Sequence, residues 1–143
     1  MNRAALPSLV LVAAACTREP PPATGPAYTP AIADALKALA AHCELRPRPD
    51  GETRACRGRQ ATMTIELDRA RRLRALDIEV VASATWEAWE MLENVLPAVA
   101  APPVVDSARK QLRGEPADEV VGDVRVAASN EDQRYAVKLT WGR

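Results

Sequence analysis

Three cysteines and one histidine are the side chains of this sequence best suited to covalent or metal chemistry. Cys16, Cys43 and Cys56 supply the thiols, and His42 directly precedes Cys43. Because His42 is the only imidazole, a Ser-His-Asp or Cys-His catalytic arrangement would have to include it. A metal site on His42 and Cys43 would lack further thiol or imidazole ligands at suitable spacing. The sequence therefore predicts neither a metal site nor a cofactor.

Carboxylates are the other groups that could carry out catalysis. Two of them can act as general acid and base in the hydrolysis of a glycan. Nothing in the sequence marks such a pair as buried or convergent, and Glu87, Glu90 and Glu93, at a spacing of three, indicate the solvated face of a helix. We therefore predict a protein that is not an enzyme. The alternative is a small hydrolase that acts on cell-wall or glycan polymers.

The first sixteen residues have the organisation of an export signal that ends at a cysteine. Arg3 and the amino terminus supply positive charge, residues 4–12 are mostly apolar, and three alanines precede Cys16. The apolar run is shorter than the roughly 20 residues that span a bilayer as a helix. The segment resembles that of bacterial lipoproteins, whose lipobox places small residues before an obligatory cysteine.

The resemblance to bacterial lipoproteins covers residues 1–16 only and concerns location. It implies that the signal peptide, residues 1–15, is removed and that Cys16 is acylated, which makes the membrane a partner through the lipid anchor. In that class an aspartate after the cysteine retains the protein in the inner membrane. Thr17 at this position implies sorting to the outer membrane of the cell envelope. Two alternatives remain, an ordinary signal peptide cut after Ala15 and a cytosolic protein with an apolar start.

Cys43 and Cys56 are the two thiols that remain once Cys16 carries a lipid. Disulfides persist in exported proteins, so the sequence predicts a bond between them. The bond would close a loop of about fourteen residues, which the chain-entropy model values at ~3 kcal/mol. Residues 47–51 contain proline, aspartate and glycine and predict a turn almost midway between the thiols.

The rest of the chain divides into a spacer and one domain. Residues 17–30 include five prolines, so residues 16–29 are predicted to form an extended tether behind the acylated cysteine. Residues 30–143 have the size of a single domain. Their hydrophobic patterns predict an α+β fold, with an antiparallel sheet of about five strands and helices on one face. The predicted order is α-β-β-β-α-α-β-β, over residues 30–43, 53–57, 61–67, 76–81, 83–96, 104–113, 120–126 and 135–141.

The distribution of charge indicates one candidate interaction surface. Residues 46–74 contain nine arginines and four acids, whereas residues 75–143 contain seven basic residues and twelve acids. Arg54, Arg57 and Arg59 are therefore candidates for binding an anionic membrane surface or an acidic envelope protein. An inhibitor or accessory subunit of an envelope complex would dock through them. The alternative is that the opposite charges pair within the fold.

Tryptophans are the second candidate for partner binding. At a spacing of three on an apolar helical stripe, Trp86 and Trp89 are predicted to pack into the core, as is Trp141 on the last strand. The alternative is that Trp86 is exposed and belongs to an interface. Nucleic acid is not a predicted partner, because no aromatic residues are interleaved with the arginines for bases to stack on. The sequence thus favours a non-catalytic binding or scaffolding module in the envelope.

Overall fold

The computed structural model describes residues 23–115 and 118–142 of the chain. The predicted signal peptide, Cys16 and the first part of the predicted tether lie outside the described residues. Within those residues the chain is α+β and its sheet is antiparallel throughout, as the sequence predicts.

The sheet has seven strands rather than about five. Their bounds are β1 His42–Arg48, β2 Gly51–Arg57, β3 Ala61–Asp68, β4 Leu73–Val81, β5 Glu119–Val121, β6 Val124–Glu131 and β7 Arg134–Trp141. Their order across the sheet is β1-β2-β3-β4-β7-β6-β5. The element order is therefore α-β-β-β-β-α-α-β-β-β, with one strand more than predicted on each side of the central helices.

The described residues contain three helices. Helix α1 spans Pro30–Lys37, where the Thr29 hydroxyl caps the first turn by accepting a hydrogen bond from the Ile32 N–H at 3.3 Å. Helix α2 runs over residues 85–99, as α-helical Thr85–Glu90, π-helical Met91–Val95 and α-helical Leu96–Val99. Helix α3 spans Pro102–Leu112 and has Pro102 at its first position, where a missing N–H costs nothing.

The core lies between the helices and one face of the sheet. In β3 the residues Ala61, Met63, Ile65 and Leu67 are buried, whereas Thr62 and Thr64 are exposed on the other face. This alternation is the predicted one, and the buried residues of β4 and β7 repeat it. The side chains buried on the other two strands are Leu73, Ala75, Leu76, Ile78, Val80, Val137, Leu139 and Trp141.

Strand β1 occupies a region that was predicted as the end of the first helix and a turn. The helix ends at Lys37 instead of Cys43, and His42–Arg48 pairs with β2 along its whole length. Its seven residues are all exposed, so no apolar alternation marks the strand in the sequence. Pro47 is compatible with this position because β1 lies at the edge of the sheet.

The predicted strand over residues 120–126 is two strands of a hairpin. Gly122, with φ of 64°, lies in the turn between β5 and β6. The turn places Val120 and Val126 on different strands, and Val120 is 67% exposed whereas Val126 is buried. The prediction of a single strand over residues 120–126 was therefore wrong.

Residues 23–29 were predicted as part of the solvated tether, but they pack against the turn between β3 and β4. The Ala23 N–H donates to Asp68 Oδ2 at 3.0 Å, and the Leu73 N–H donates to the Pro26 carbonyl at 2.9 Å. A Cβ atom at Gly25 would collide with the Leu73 carbonyl oxygen, so glycine permits this close approach. Residues 23–29 are thus part of the packed fold among the described residues.

Candidate functional site

A groove of about 430 Å³ lies between helices α2 and α3 at one end of the sheet. We call it the tryptophan groove. Its lining residues are Ala82, Thr85, Ala88, Trp89, Leu92, Arg109, Leu112, Arg113 and Tyr135. Trp86 lies beside the groove, one helical turn before Trp89. The groove therefore combines aromatic, aliphatic and cationic side chains at the surface.

Trp86 and Trp89 are exposed, so the prediction that both pack into the core was wrong. Their exposed fractions are 58% and 55%. The buried side of the same helix carries Ala84, Met91 and Val95, which follow the helical period equally well. Trp141, also predicted in the core, is 5% exposed. Of the alternative weighed for Trp86, the exposure is confirmed, and a role in an interface stays a prediction.

The π-helical turn of α2 connects this helix to α3. The Leu96 N–H bonds to the carbonyl of Met91, and Pro97 has no N–H to donate, so neither of them bonds to the Leu92 carbonyl. Arg109 Nη2 donates to that carbonyl at 3.3 Å and to Glu93 Oε1 at 2.8 Å. One guanidinium group thereby holds the two helices together along a wall of the groove.

The groove continues past Tyr135 into an outer compartment of about 580 Å³. The two compartments share Leu112, Arg113 and Tyr135. The outer one adds polar side chains of the β6–β7 hairpin, namely Ser129, Asn130 and Glu131. Arg113 is exposed and makes no ion pair within the described residues. A ligand along this surface would meet apolar and aromatic groups first, then a free cation and polar groups.

The buried Gln111 fixes the floor of the outer compartment. Its Nε2 donates to Ser107 Oγ at 3.0 Å and to the Val126 carbonyl at 3.1 Å. Its Oε1 accepts from the N–H groups of Ala128, at 2.7 Å, and Asp118, at 3.1 Å. Strand β5 pairs with β6 only up to Val126, so the side-chain amide bonds β6 where its neighbouring strand ends.

Arg54, Arg57 and Arg59 do not converge on one surface. Arg54 Nε donates to Glu52 Oε2 at 2.7 Å, and its guanidinium lies 5.2 Å from the centroid of the Tyr28 ring. The hydrogen bond to Glu52 raises the pKa of Arg54. Arg57 is three residues further along the strand and so faces the opposite side of the sheet, and Arg59 is in the following turn.

Several other arginines of the basic segment have partners within the fold. Arg46 lies 3.4 Å from Glu44, Arg48 3.2 Å from Glu66, and Arg71 2.8 Å from Glu52. Arg72 donates to the Gly25 carbonyl at 2.9 Å. These arginines thus pair within the fold, but with acids of the same part of the chain and not with the acidic residues of 75–143, as the alternative would require.

Cys43 and Cys56 form a disulfide with an S–S distance of 2.03 Å, and they face each other across β1 and β2. His42 is exposed beside them, opposite Arg57 in the strand register. In residues 23–115 and 118–142, no three His, Cys, Asp or Glu side chains are grouped as a metal site would require. The two sulfurs therefore belong to a structural disulfide, and His42 is a surface residue next to it.

Two further acidic clusters bear on the hydrolase alternative. Burial raises the pKa of Asp77, which lies with Glu79 on the uncovered face of the sheet and lines neither compartment of the groove. Glu115 and Glu131 line the outer compartment, and both are exposed to solvent. General acid catalysis favours a carboxyl group with a raised pKa inside the binding site. Asp77 has the raised pKa, but it lies outside the groove.

Comparison with protein-family models, with curated proteins and with solved structures finds no match to this chain. None of the helices in the described part of the chain is long and apolar enough to cross a membrane. The site that the sequence indicated only through Trp86 also includes Trp89, Tyr135, Arg109 and Arg113. These residues come from α2, from α3 and its C-terminal end, and from β7, and only the packing of these three elements brings them together.

Proposed function

We propose that this protein is an envelope lipoprotein, anchored by an acylated Cys16, whose domain is a non-catalytic binding module. The lipobox-like residues that end at Cys16 support the anchor. The exposure of both Trp86 and Trp89 beside the tryptophan groove is the observation that carries the binding role. A segment of another envelope protein is the partner that this surface fits.

The composition of the groove supports a protein partner. Tryptophan, tyrosine and arginine are the residues most enriched among those that dominate binding energy at protein interfaces. Trp89, Tyr135 and Arg113 occur together here, and Arg113 has no acidic partner within the described residues. Leu92 and Leu112 add apolar surface between them. An extended or helical segment with an apolar anchor and an acidic flank matches this set.

The rigidity of the groove also supports this role. Arg109 holds α2 on α3, and Gln111 holds α3 on β6, so the walls are fixed before a partner arrives. A surface that is already ordered loses less conformational entropy on binding. A site built from flexible loops would lose more conformational entropy on binding.

The position of the groove leaves it accessible when the chain is anchored. Ala23 is held at the turn between β3 and β4, at one end of the strands. The groove is at the other end, where the Ala82 N–H donates to the Gln133 carbonyl at 2.8 Å. A tether that joins Cys16 to Ala23 therefore enters the domain away from the groove.

The anchor is tested by the intact mass of the mature protein from bacterial membranes, before and after reduction. We expect a lipid-sized increment on Cys16 and a gain of two hydrogens on reduction of the Cys43–Cys56 disulfide. A Cys16→Ser variant should lack the increment. A soluble chain that retains residues 1–16 would contradict the anchor.

The binding role is tested by capture from a detergent extract of bacterial envelopes on immobilised protein. We expect the double variant W86A/W89A to lose components that the wild type retains. The matched control is T62A/T64A, which truncates two exposed side chains on the uncovered face of the sheet. Equal retention by all three proteins would contradict the proposal.

A further inference from the structure

Strand β1 is an exposed sheet edge of seven residues. It pairs only with β2 among the described residues, and each of its seven residues is exposed. The opposite edge, β5, has three residues. Long unpaired edges bind further strands, because their backbone N–H and C=O groups have no partners within the sheet.

The backbone pattern shows which residues of β1 face outward. The Gly58 N–H donates to the Ala61 carbonyl at 2.8 Å, so the even-numbered residues of β2 bond to β3 and the odd-numbered ones bond to β1. In the register of β1 with β2, each odd residue of β2 faces an even residue of β1. The backbone groups of Cys43, Leu45 and Pro47 therefore point to the free edge.

The sequence of β1 is complementary to itself about Leu45. In an antiparallel pair centred there, Leu45 faces Leu45 of a second copy, and Glu44 faces Arg46 of that copy. Leu45 is 53% exposed, and the side chains of Glu44 and Arg46 are 70% and 65% exposed. Opposite charges and apolar residues directly across two strands stabilise the pair. We propose that β1 pairs with β1 of a second copy of this chain, so that two sheets join into one.

The same charges select this register. A slip of two residues in one direction would bring Glu44 opposite Glu44 of the second copy, and a slip in the other direction would bring Arg46 opposite Arg46. Pro47 has no N–H, so it weakens pairing with unrelated strands but still accepts a hydrogen bond from Cys43 of the second copy. The disulfide of Cys43 with Cys56 holds the hairpin in place before pairing.

This interface is separate from the tryptophan groove. Strand β1 is at one end of the strand order, whereas β7, which carries Tyr135, is beyond β4. A dimer through β1 therefore leaves two grooves open. The inference does not depend on the proposed function, since it uses only the edge strand.

The test is sedimentation velocity of the full chain over a concentration series. We expect the wild type to dimerise, and E44R and R46E each to weaken the dimer about tenfold or more, because each reversal replaces two attractive pairs by two repulsive ones. An equimolar mixture of E44R and R46E should form a heterodimer, since each like-charged edge then faces its opposite. D106R, a reversal at an exposed site on α3, should dimerise like the wild type.

Each remaining outcome overturns the proposal. A wild type that stays monomeric at every concentration shows that the edge does not pair. A dimer that tolerates both reversals uses another surface. Failure of the mixture to associate, while circular dichroism shows both variants folded, excludes the register centred on Leu45.

Discussion

The β1–β2 hairpin and the tryptophan groove differ in how their conspicuous side chains are used. The hairpin lies in the most arginine-rich part of the sequence, yet Arg46, Arg48 and Arg54 each have a carboxylate within 4 Å. The groove contains few charges, but Arg113 has no ion pair within the described residues, and Trp86 and Trp89 are exposed. Arg57 on the hairpin is also exposed without an ion pair among the described residues, so the groove differs from the hairpin chiefly in its exposed tryptophans.

Two arginines of the hairpin pair with acids on their own strands because of strand geometry. Residues two apart on a strand share a face, which brings Glu44 beside Arg46 and Glu52 beside Arg54. Such pairs near the surface contribute about 0–1 kcal/mol each to stability. They therefore remove charge from the surface without adding much stability, and the disulfide is the main stabilising element of the hairpin.

The largest effect is expected from the disulfide. The double variant C43A/C56A should lower the free energy of unfolding by about 3 kcal/mol, the value for a loop of this size. Urea unfolding measures it, and reduction of the wild type should give a similar loss. An unchanged midpoint would mean that strand pairing alone holds the hairpin.

The second-largest effect on stability is expected from replacing Gln111, under the outer compartment of the groove. Q111L should cost about 1–3 kcal/mol, because the buried Ala128 N–H and Val126 carbonyl lose their hydrogen-bond partner. Denaturant unfolding measures the loss, and S107A, which removes one member of the network, is the milder control. Equal stability of Q111L and the wild type would show that Gln111 does not hold the floor of the groove.

A smaller effect is expected at Asp68, beside the docked N-terminal segment. Burial opposes ionisation of this carboxyl, but hydrogen bonds from the backbone N–H groups of Arg72, Ala23 and Ala70 outweigh it and lower the pKa. A lowered pKa in the folded state gives stability that is present above the unfolded pKa and lost as the pH falls through the folded pKa. D68N should cost about 1 kcal/mol at neutral pH and flatten this acid dependence. If the free energy of unfolding fell in the same way with decreasing pH for D68N and the wild type, this role of Asp68 would be contradicted.

The smallest effects on stability are expected from the two candidate binding surfaces. R54S/R57S/R59S should cost less than about 1 kcal/mol, because the ion pair of Arg54 with Glu52 is the one lost. W86A/W89A should change stability by about 0.5 kcal/mol or less, since both side chains are exposed. Thermal unfolding of the two variants checks this. A large loss for W86A/W89A would show that the tryptophans stabilise the fold instead.

The parts of the fold that could be predicted are those with a strong period. The alternation from Ala61 to Leu67 and the inward face of β7 predicted two strands, and both are confirmed. The disulfide followed from the count of thiols. Strand β1 has no buried residue and therefore no period, and the turn at Gly122 is too short to interrupt an apolar run.

The candidate site was harder to predict for a different reason. The helix α2 contains two stripes that satisfy the same 3.6-residue period, one with Trp86 and Trp89 and one with Ala84, Met91 and Val95. Because tryptophan is the larger side chain, the tryptophan stripe was the one predicted to face the core. In the structure the smaller residues fill the space over the sheet. Arg109 and Arg113 join the site only through the packing of α3, which no local pattern reports.

The central claim is that the partner binds at the tryptophan groove rather than at the arginines of the hairpin. Site-specific photo-cross-linking in intact bacteria tests it most directly, with a photoreactive residue in place of Trp89 in one strain and of Arg57 in another. Both positions are exposed, so both can report a neighbour. We expect a discrete adduct with another envelope component from position 89 and none from position 57. Adducts from position 57 alone would contradict the account and return the binding role to the basic hairpin.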